Sequence, residues 1–130
     1  MKYRAASLLF LCSLFLPALG KDKAEIKDWE WRGAKESGAW LHTERRGSEL
    51  KFSLELNRGA PSYNSGEMSG ELIVKNDLAI YQPSELPRCT MTFAFTGRTV
   101  KVQQSGSDSD CGFGYGVMAD HILTLKKSPK

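Results

Sequence analysis

The segment from Glu49 to Asn57 alternates polar and apolar residues without interruption. Leu50, Phe52, Leu54 and Leu56 occupy every second position, and the residues between them are polar. Because successive side chains of a β-strand point to opposite faces, this period of two is typical of a strand with one face in the core and one in solvent. The sequence therefore predicts a half-buried strand here.

Similar short segments recur along the chain, separated by turn-forming residues. The predicted strands are Trp29–Trp31, Gly38–Thr43, Glu67–Val74, Leu78–Tyr81, Cys89–Phe95, Thr99–Gln103, and one or two strands within Val117–Leu125. Ala24 to Asp28 is predicted to form a helical turn. Seven or eight short strands with regular turn signals predict an all-β fold, a small antiparallel barrel or a sandwich.

The N-terminal 20 residues have the pattern of an export signal. Lys2 and Arg4 precede an apolar stretch from Ala5 to Leu16, and a small-residue triplet ends at Gly20. A membrane anchor is the alternative, but the stretch is shorter than the roughly 20 apolar residues that cross a bilayer. We expect cleavage after Gly20, a single domain from 21 to 130 without stable membrane insertion, and a periplasmic or secreted location.

Cys89 and Cys111 are the two cysteines that remain once the signal, with Cys12, is removed. Two cysteines in a small exported domain normally pair, which predicts a disulfide worth about 3 kcal/mol. A metal site is the alternative. Zinc takes three or four ligands, and His42 and His121 lie far from both cysteines in sequence. The sequence therefore predicts no metal and no cofactor.

Charge gives no reason to expect a nucleic-acid partner. The chain has a formal net charge of +3, which falls to +1 without Lys2 and Arg4. A nucleic-acid-binding surface requires a dense basic face. The lysines at the C-terminal end, Lys126, Lys127 and Lys130, are interpreted as a solvated terminal cluster.

The segments around the cysteines resemble a group of small exported bacterial proteins. The ordered motifs are Ser-Gly-Glu-Leu-Ile-Val, Asn-Asp-Leu-Ala-Ile-Tyr, Cys-x-Met-x-Phe-x-Phe-x-Gly, Val-x-Val-x-Gln and Cys-Gly-Phe-Gly-x-Gly-Val-x-Ala-Asp. Similar domains accompany LprI-like lysozyme-inhibitor proteins. The resemblance covers Gly38 to Leu125 and implies a barrel-like domain, a Cys89–Cys111 bond and lysozyme inhibition. The chain departs from the group at His121 and Leu123, where a glycine and then an aromatic residue are usual.

Two segments are candidates for binding a partner. Ser62 and Tyr63 belong to a loop rich in turn formers, and Phe113 and Tyr115 to the glycine-rich run after Cys111. The structural alternatives are a surface hairpin loop for the first and a tight turn tethered by the disulfide for the second.

The sequence contains no spacing typical of a catalytic set, such as a nucleophile beside a histidine or a defined carboxylate pair. It therefore predicts a non-enzymatic binding protein of the bacterial envelope, whose partner is a lysozyme-type hydrolase or another envelope component. Two alternatives stay open. One is a small glycan or cell-wall hydrolase that uses Asp108 and Asp110, and the other is a structural or assembly protein of the envelope.

Overall fold

A computed structural model describes residues 23–127, so the predicted export signal at residues 1–20 lies outside the described residues. The strands are β1 (Glu25–Arg32), β2 (Gly38–Arg46), β3 (Glu49–Asn57), β4 (Ser65–Lys75), β5 (Leu78–Tyr81), β6 (Thr90–Thr96), β7 (Thr99–Ser105) and β8 (His121–Leu125). A single 3-10 turn, Ala34–Glu36, lies between β1 and β2. None of the helical turns in residues 23–127 has the length and apolar character needed to cross a bilayer.

The eight strands form one closed antiparallel barrel in which each strand pairs with the next along the chain. The ring closes where β8 pairs with both β7 and β1, with Leu123 opposite Val100 and Leu125 opposite Trp29. The predicted all-β fold is therefore confirmed, and of its two forms the protein adopts the barrel. Closure pairs every strand on both sides and leaves no open sheet edge.

The core fills the inside of the barrel, as expected for eight strands, whose interior is just wide enough for side chains. Every second residue of β3 from Leu50 to Leu56 is buried, which confirms the face predicted from the alternation. Glycines make room for rings on the same side of β4: an added Cβ at Gly70 would meet the Tyr81 ring, and one at Gly66 the Phe113 ring. The largest fully buried side chains are Phe93, Leu41, Leu54, Met91, Leu123, Val100, Val102 and Val117.

One sequence prediction of local structure is wrong, and another, a strand or two within Val117–Leu125, is confirmed only for β8, its second half. Ala24 to Asp28 does not form a helical turn, because β1 pairs with β2 along its whole length, from Glu25 opposite Arg45 onward. The last strand begins only at His121. Val117 and Ala119 are buried in alternation like strand residues, but the Gln104 side chain accepts the hydrogen bond of the Ala119 N–H, so this segment joins no ladder.

The two ends of the barrel differ. At one end, which we call the turn end, residues 47–48, 76–77 and 97–98 connect strands in tight two-residue turns. At the other, the loop end, the connections are the longer segments 33–37, 58–64, 82–89 and 106–120. Binding residues are found mostly on loops that a rigid scaffold positions. We therefore expect a functional site at the loop end.

Candidate functional site

The longest loop, 106–120, is fastened to the barrel wall by the predicted disulfide. Cys89 and Cys111 are bonded, with their Cα atoms 4.9 Å apart, and both are buried. Within the loop, the Phe113 N–H donates to the Asp108 carbonyl at 2.8 Å, and the Gly116 N–H donates to the Asp108 carboxylate at 2.6 Å. The glycine-rich run is therefore a well-bonded turn, as the structural interpretation of the sequence expected.

The loops 58–64 and 106–120, which the sequence singled out separately, meet at the loop end. The Asn64 side-chain amide donates to the Tyr115 carbonyl at 2.9 Å, and the Gly114 N–H donates to the Ser65 carbonyl at 2.9 Å. Arg58 joins them: its Nη1 donates to the same Tyr115 carbonyl at 3.3 Å, and its guanidinium carbon lies 5.7 Å from the Tyr115 ring centroid. The two segments form one continuous surface.

The four candidate binding residues occupy different environments in this surface. Ser62, Tyr63 and Tyr115 are exposed, and Tyr115 is the most exposed of the large hydrophobic side chains, at 79%. Phe113 is only 7% exposed and its ring packs against Gly66. Phe113 is therefore part of the core beneath the surface, and the side chains available to a partner are Ser62, Tyr63 and Tyr115.

A third loop, 33–37, is tied to the same surface. The Tyr63 hydroxyl donates to the Glu36 carboxylate at 2.8 Å, and this hydrogen bond raises the pKa of Tyr63. Lys35, Glu36 and Tyr63 all have positive φ, a backbone conformation that costs such residues on the order of 1–3 kcal/mol each. Strain of this kind persists only where surrounding contacts hold it, and it is concentrated at functional sites.

We define the loop-end patch as Arg58, Tyr63, Tyr115, Met118 and the stacked pair Trp31 and His121. The Trp31 and His121 rings are 3.9 Å apart and nearly parallel, and they line a groove of about 230 Å³ together with Arg58 and Met118. Burial lowers the pKa of His121. Sequence reasoning missed Arg58, Met118 and this stacked pair. One signal was available in the sequence. Trp31 lies two residues after Trp29 on the same face of β1, close to the end of the strand, where an aromatic ring can be partly exposed.

The carboxylates proposed for a hydrolase, Asp108 and Asp110, are used by the loop itself. Both oxygens of Asp108 accept backbone N–H groups, and Asp110 accepts from the Ser107 N–H at 2.9 Å. The hydrogen bonds from Ser107 lower the pKa of Asp110. A glycosidase needs a general acid with a raised pKa, so Asp110 is poorly suited to that role. Residues 23–127 contain no cluster of three or more side chains placed to bind a metal ion.

The chain matches no protein-family model, no curated protein and no solved structure.

Proposed function

We propose that the protein is a non-enzymatic binding protein, exported to the bacterial envelope, that docks a protein partner through the loop-end patch. The partner we propose is a lysozyme-type cell-wall hydrolase. The observation that carries the proposal is the exposed Arg58 guanidinium beside the exposed Tyr115 ring, on a surface where three loops are joined by hydrogen bonds. The resemblance of the chain to exported proteins associated with lysozyme inhibition supports the choice of partner.

The composition of the patch supports protein binding. Tyrosine and arginine are enriched among the few residues that supply most of the energy of a protein interface. Tyr63, Tyr115 and Met118 are exposed large side chains on this surface. Because Asn64 and Glu36 already hold the loops together, less conformational entropy is lost on binding than for mobile loops.

The charge of Arg58 supports a hydrolase as the partner. Glycoside hydrolases flank the scissile bond with two carboxyl groups, and a guanidinium can form paired hydrogen bonds with a carboxylate. Among residues 23–127 no ion pair involves Arg58. The guanidinium is therefore available to a carboxylate of the partner, with Tyr115 beside it to exclude water.

The test is to measure peptidoglycan hydrolysis by lysozymes of several types with and without the purified protein. We expect inhibition of at least one type, and we expect Arg58→Ala to weaken it by roughly 30-fold or more, since truncating one partner of a buried charge pair costs about 2–5 kcal/mol. Tyr115→Ala should weaken it as well.

The matched control is Arg46→Ala, which removes an exposed arginine at the turn end and should leave inhibition unchanged. Thermal unfolding of each variant shows whether the barrel is intact. Failure to inhibit any lysozyme type would refute this choice of partner, and equal effects of Arg58→Ala and Arg46→Ala would refute the loop-end patch as the contact surface.

A further inference from the structure

The turn end of the barrel has polar side chains at positions that face the core elsewhere along the same strands. Glu25 and Lys27 share the inward parity of Trp29 on β1, and Thr43 and Arg45 share that of Leu41 on β2. On each of these two strands, the two inward-facing positions nearest the turn end are therefore polar, and the apolar interior stops before them. Above it lies a cavity of about 140 Å³, separate from the loop-end patch.

The floor of this cavity is aromatic. Trp29, Leu50 and Phe95 line it, and the Trp29 and Phe95 ring centroids are 5.7 Å apart. The Trp29 indole N–H already donates to the Thr43 hydroxyl at 3.1 Å, so the floor offers ring surface and no unmet donor. In another protein, a cavity of roughly 150 Å³ binds one benzene molecule. The space here is therefore of the size of a single ring.

The rim of the cavity is positively charged on one side. Lys27 and Arg45 lie on either side of Glu25. The Glu25 carboxylate is 2.9 Å from the Lys27 ammonium, and Glu25 is opposite Arg45 in the β1–β2 pairing. Both cations draw the pKa of Glu25 below its ordinary value. The Arg45 Nε donates to the Gly47 carbonyl at 2.8 Å, which holds the guanidinium at the mouth. Two cations around one acid leave a surplus positive charge.

The other side of the rim is negative. Asp77, in the turn between β4 and β5, lines the cavity, and its carbonyl accepts the Phe95 N–H at 2.8 Å. Among residues 23–127 no ion pair involves Asp77. A ring-sized cavity thus has a surplus positive charge on one wall and an unpaired carboxylate on another.

We propose that the turn end binds a small aromatic zwitterion of the amino-acid type. The ring packs on Trp29 and Phe95, the carboxylate of the ligand pairs with Arg45 and Lys27, and its ammonium group pairs with Asp77. The mouth of a β-barrel that has an apolar floor and a few convergent polar groups is a common location for such a site. This site is independent of the hydrolase partner proposed for the loop end.

The test titrates the protein with four probes and follows the Trp29 indole N–H by NMR. L-phenylalanine carries the ring and both charges, phenylacetate lacks the ammonium, phenethylamine lacks the carboxylate, and glycine lacks the ring. We expect phenylalanine to bind with a dissociation constant of about 2 mM, on the efficiency scale of ordinary ligands of its size. The two ring probes with one charge should bind several-fold more weakly, and glycine should not shift the Trp29 signal.

Two variants assign the charges. Arg45→Gln should weaken the binding of phenylalanine and phenylacetate but not that of phenethylamine. Asp77→Asn should weaken the binding of phenylalanine and phenethylamine but not that of phenylacetate. Arg46→Gln is the control, because this neighbouring side chain points outward. It should leave the affinity for every probe unchanged. Absence of any Trp29 shift at about ten times the expected dissociation constant would overturn the proposal. Equal binding of the three ring probes would also overturn it, because the rim would then play no part.

Discussion

At the scale of single residues, the buried polar side chain inside the barrel has hydrogen-bond partners. Thr43 is the buried polar residue of the described chain, and it accepts the Trp29 indole N–H while its own hydroxyl donates to the Lys27 carbonyl at 3.4 Å. No buried side-chain nitrogen or oxygen in residues 23–127 lacks a hydrogen bond. Because an unmet buried polar group costs about 1–3 kcal/mol, this pairing allows the aromatic core to end in a polar mouth.

The two histidines should titrate on opposite sides of the ordinary histidine pKa of 6.5. His42 hydrogen bonds to the Asp28 carboxylate at 2.7 Å and faces Glu44, which raises its pKa, whereas burial against Trp31 lowers the pKa of His121. NMR titration of the imidazole C–H signals measures both midpoints. Asp28→Asn should lower the midpoint of His42 and leave that of His121 unchanged. Coinciding midpoints would contradict the assigned environments.

These shifts have opposite consequences for stability. The stabilisation from protonated His42 is fully present below pH 6.5 and is lost as the pH rises through its raised folded-state pKa. His121 has the opposite effect. As the pH decreases below 6.5, the unfolded state binds a proton at this histidine more readily than the folded state does, so stability decreases. The decrease ends once the pH is below the lowered folded-state pKa.

At the scale of elements, the tight turns set the register of the hairpins. Asn76 and Asp77, between β4 and β5, have φ values of 51° and 60°. Positive φ at both central residues is the type I′ geometry, whose twist matches that of the flanking strands. Asparagine and aspartate adopt this conformation more readily than other residues with a side chain, because their short polar groups bond locally.

Replacing Asn76 tests the role of this turn. Asn76→Ala should lower the free energy of unfolding by about 1 kcal/mol, because alanine adopts the left-handed conformation at a cost of roughly 1–2 kcal/mol. Asn76→Gly is the matched control and should leave stability close to that of the wild type, since glycine adopts positive φ freely. Urea unfolding followed by tryptophan fluorescence gives both values. Equal stabilities of the alanine and glycine variants would show that the turn conformation is not stabilised by residue 76.

At the scale of the whole molecule, the short turns and the long loops lie at opposite ends of the barrel. Two-residue turns close the turn end, whereas the 15 residues of the loop 106–120 extend over the loop end. This loop forms no strand ladder of its own, and the Cys89–Cys111 bond fastens it together with the hydrogen bonds to Asn64 and Ser65. The surface that carries Tyr115 is therefore held by one covalent bond as well as by hydrogen bonds between loops.

Removal of the disulfide should destabilise the whole barrel without abolishing the fold. The cysteines are 22 residues apart, and opening a loop of this length costs about 3 kcal/mol in the chain-entropy model, out of the roughly 5–15 kcal/mol typical of a domain. Cys89→Ala combined with Cys111→Ala should show this loss in urea unfolding. A reducing agent should weaken the wild type by a similar amount and have no effect on the double variant. Unchanged stability in both experiments would contradict the role assigned to the bond.

Local sequence pattern was sufficient to predict the antiparallel all-β class and most of the strands with their buried faces, although it assigned Ala24 to Asp28 to a helical turn that the first half of β1 replaces. Alternation predicts strands because each strand buries one of its two faces, so every second residue is apolar, as from Leu50 to Leu56 of β3. It failed where a side chain replaced a ladder partner, as Gln104 does beside Ala119. The cysteine pairing was predictable because Cys89 and Cys111 are the two cysteines that follow the predicted export signal. The export signal itself remains a prediction from the sequence.

The tertiary structure alone decided which side chains form the two candidate sites. Asn64 and Tyr115 are hydrogen bonded across 51 residues of sequence, a contact that no local pattern records. Phe113 is buried and Tyr115 exposed although they lie two residues apart, because they belong to a hydrogen-bonded loop and not to a strand. Lys27 and Arg45 similarly occupy inward positions that become a mouth only because the barrel closes around them. Sequence periodicity specifies the face of each strand, and closure of the barrel decides what the ends of those faces contact.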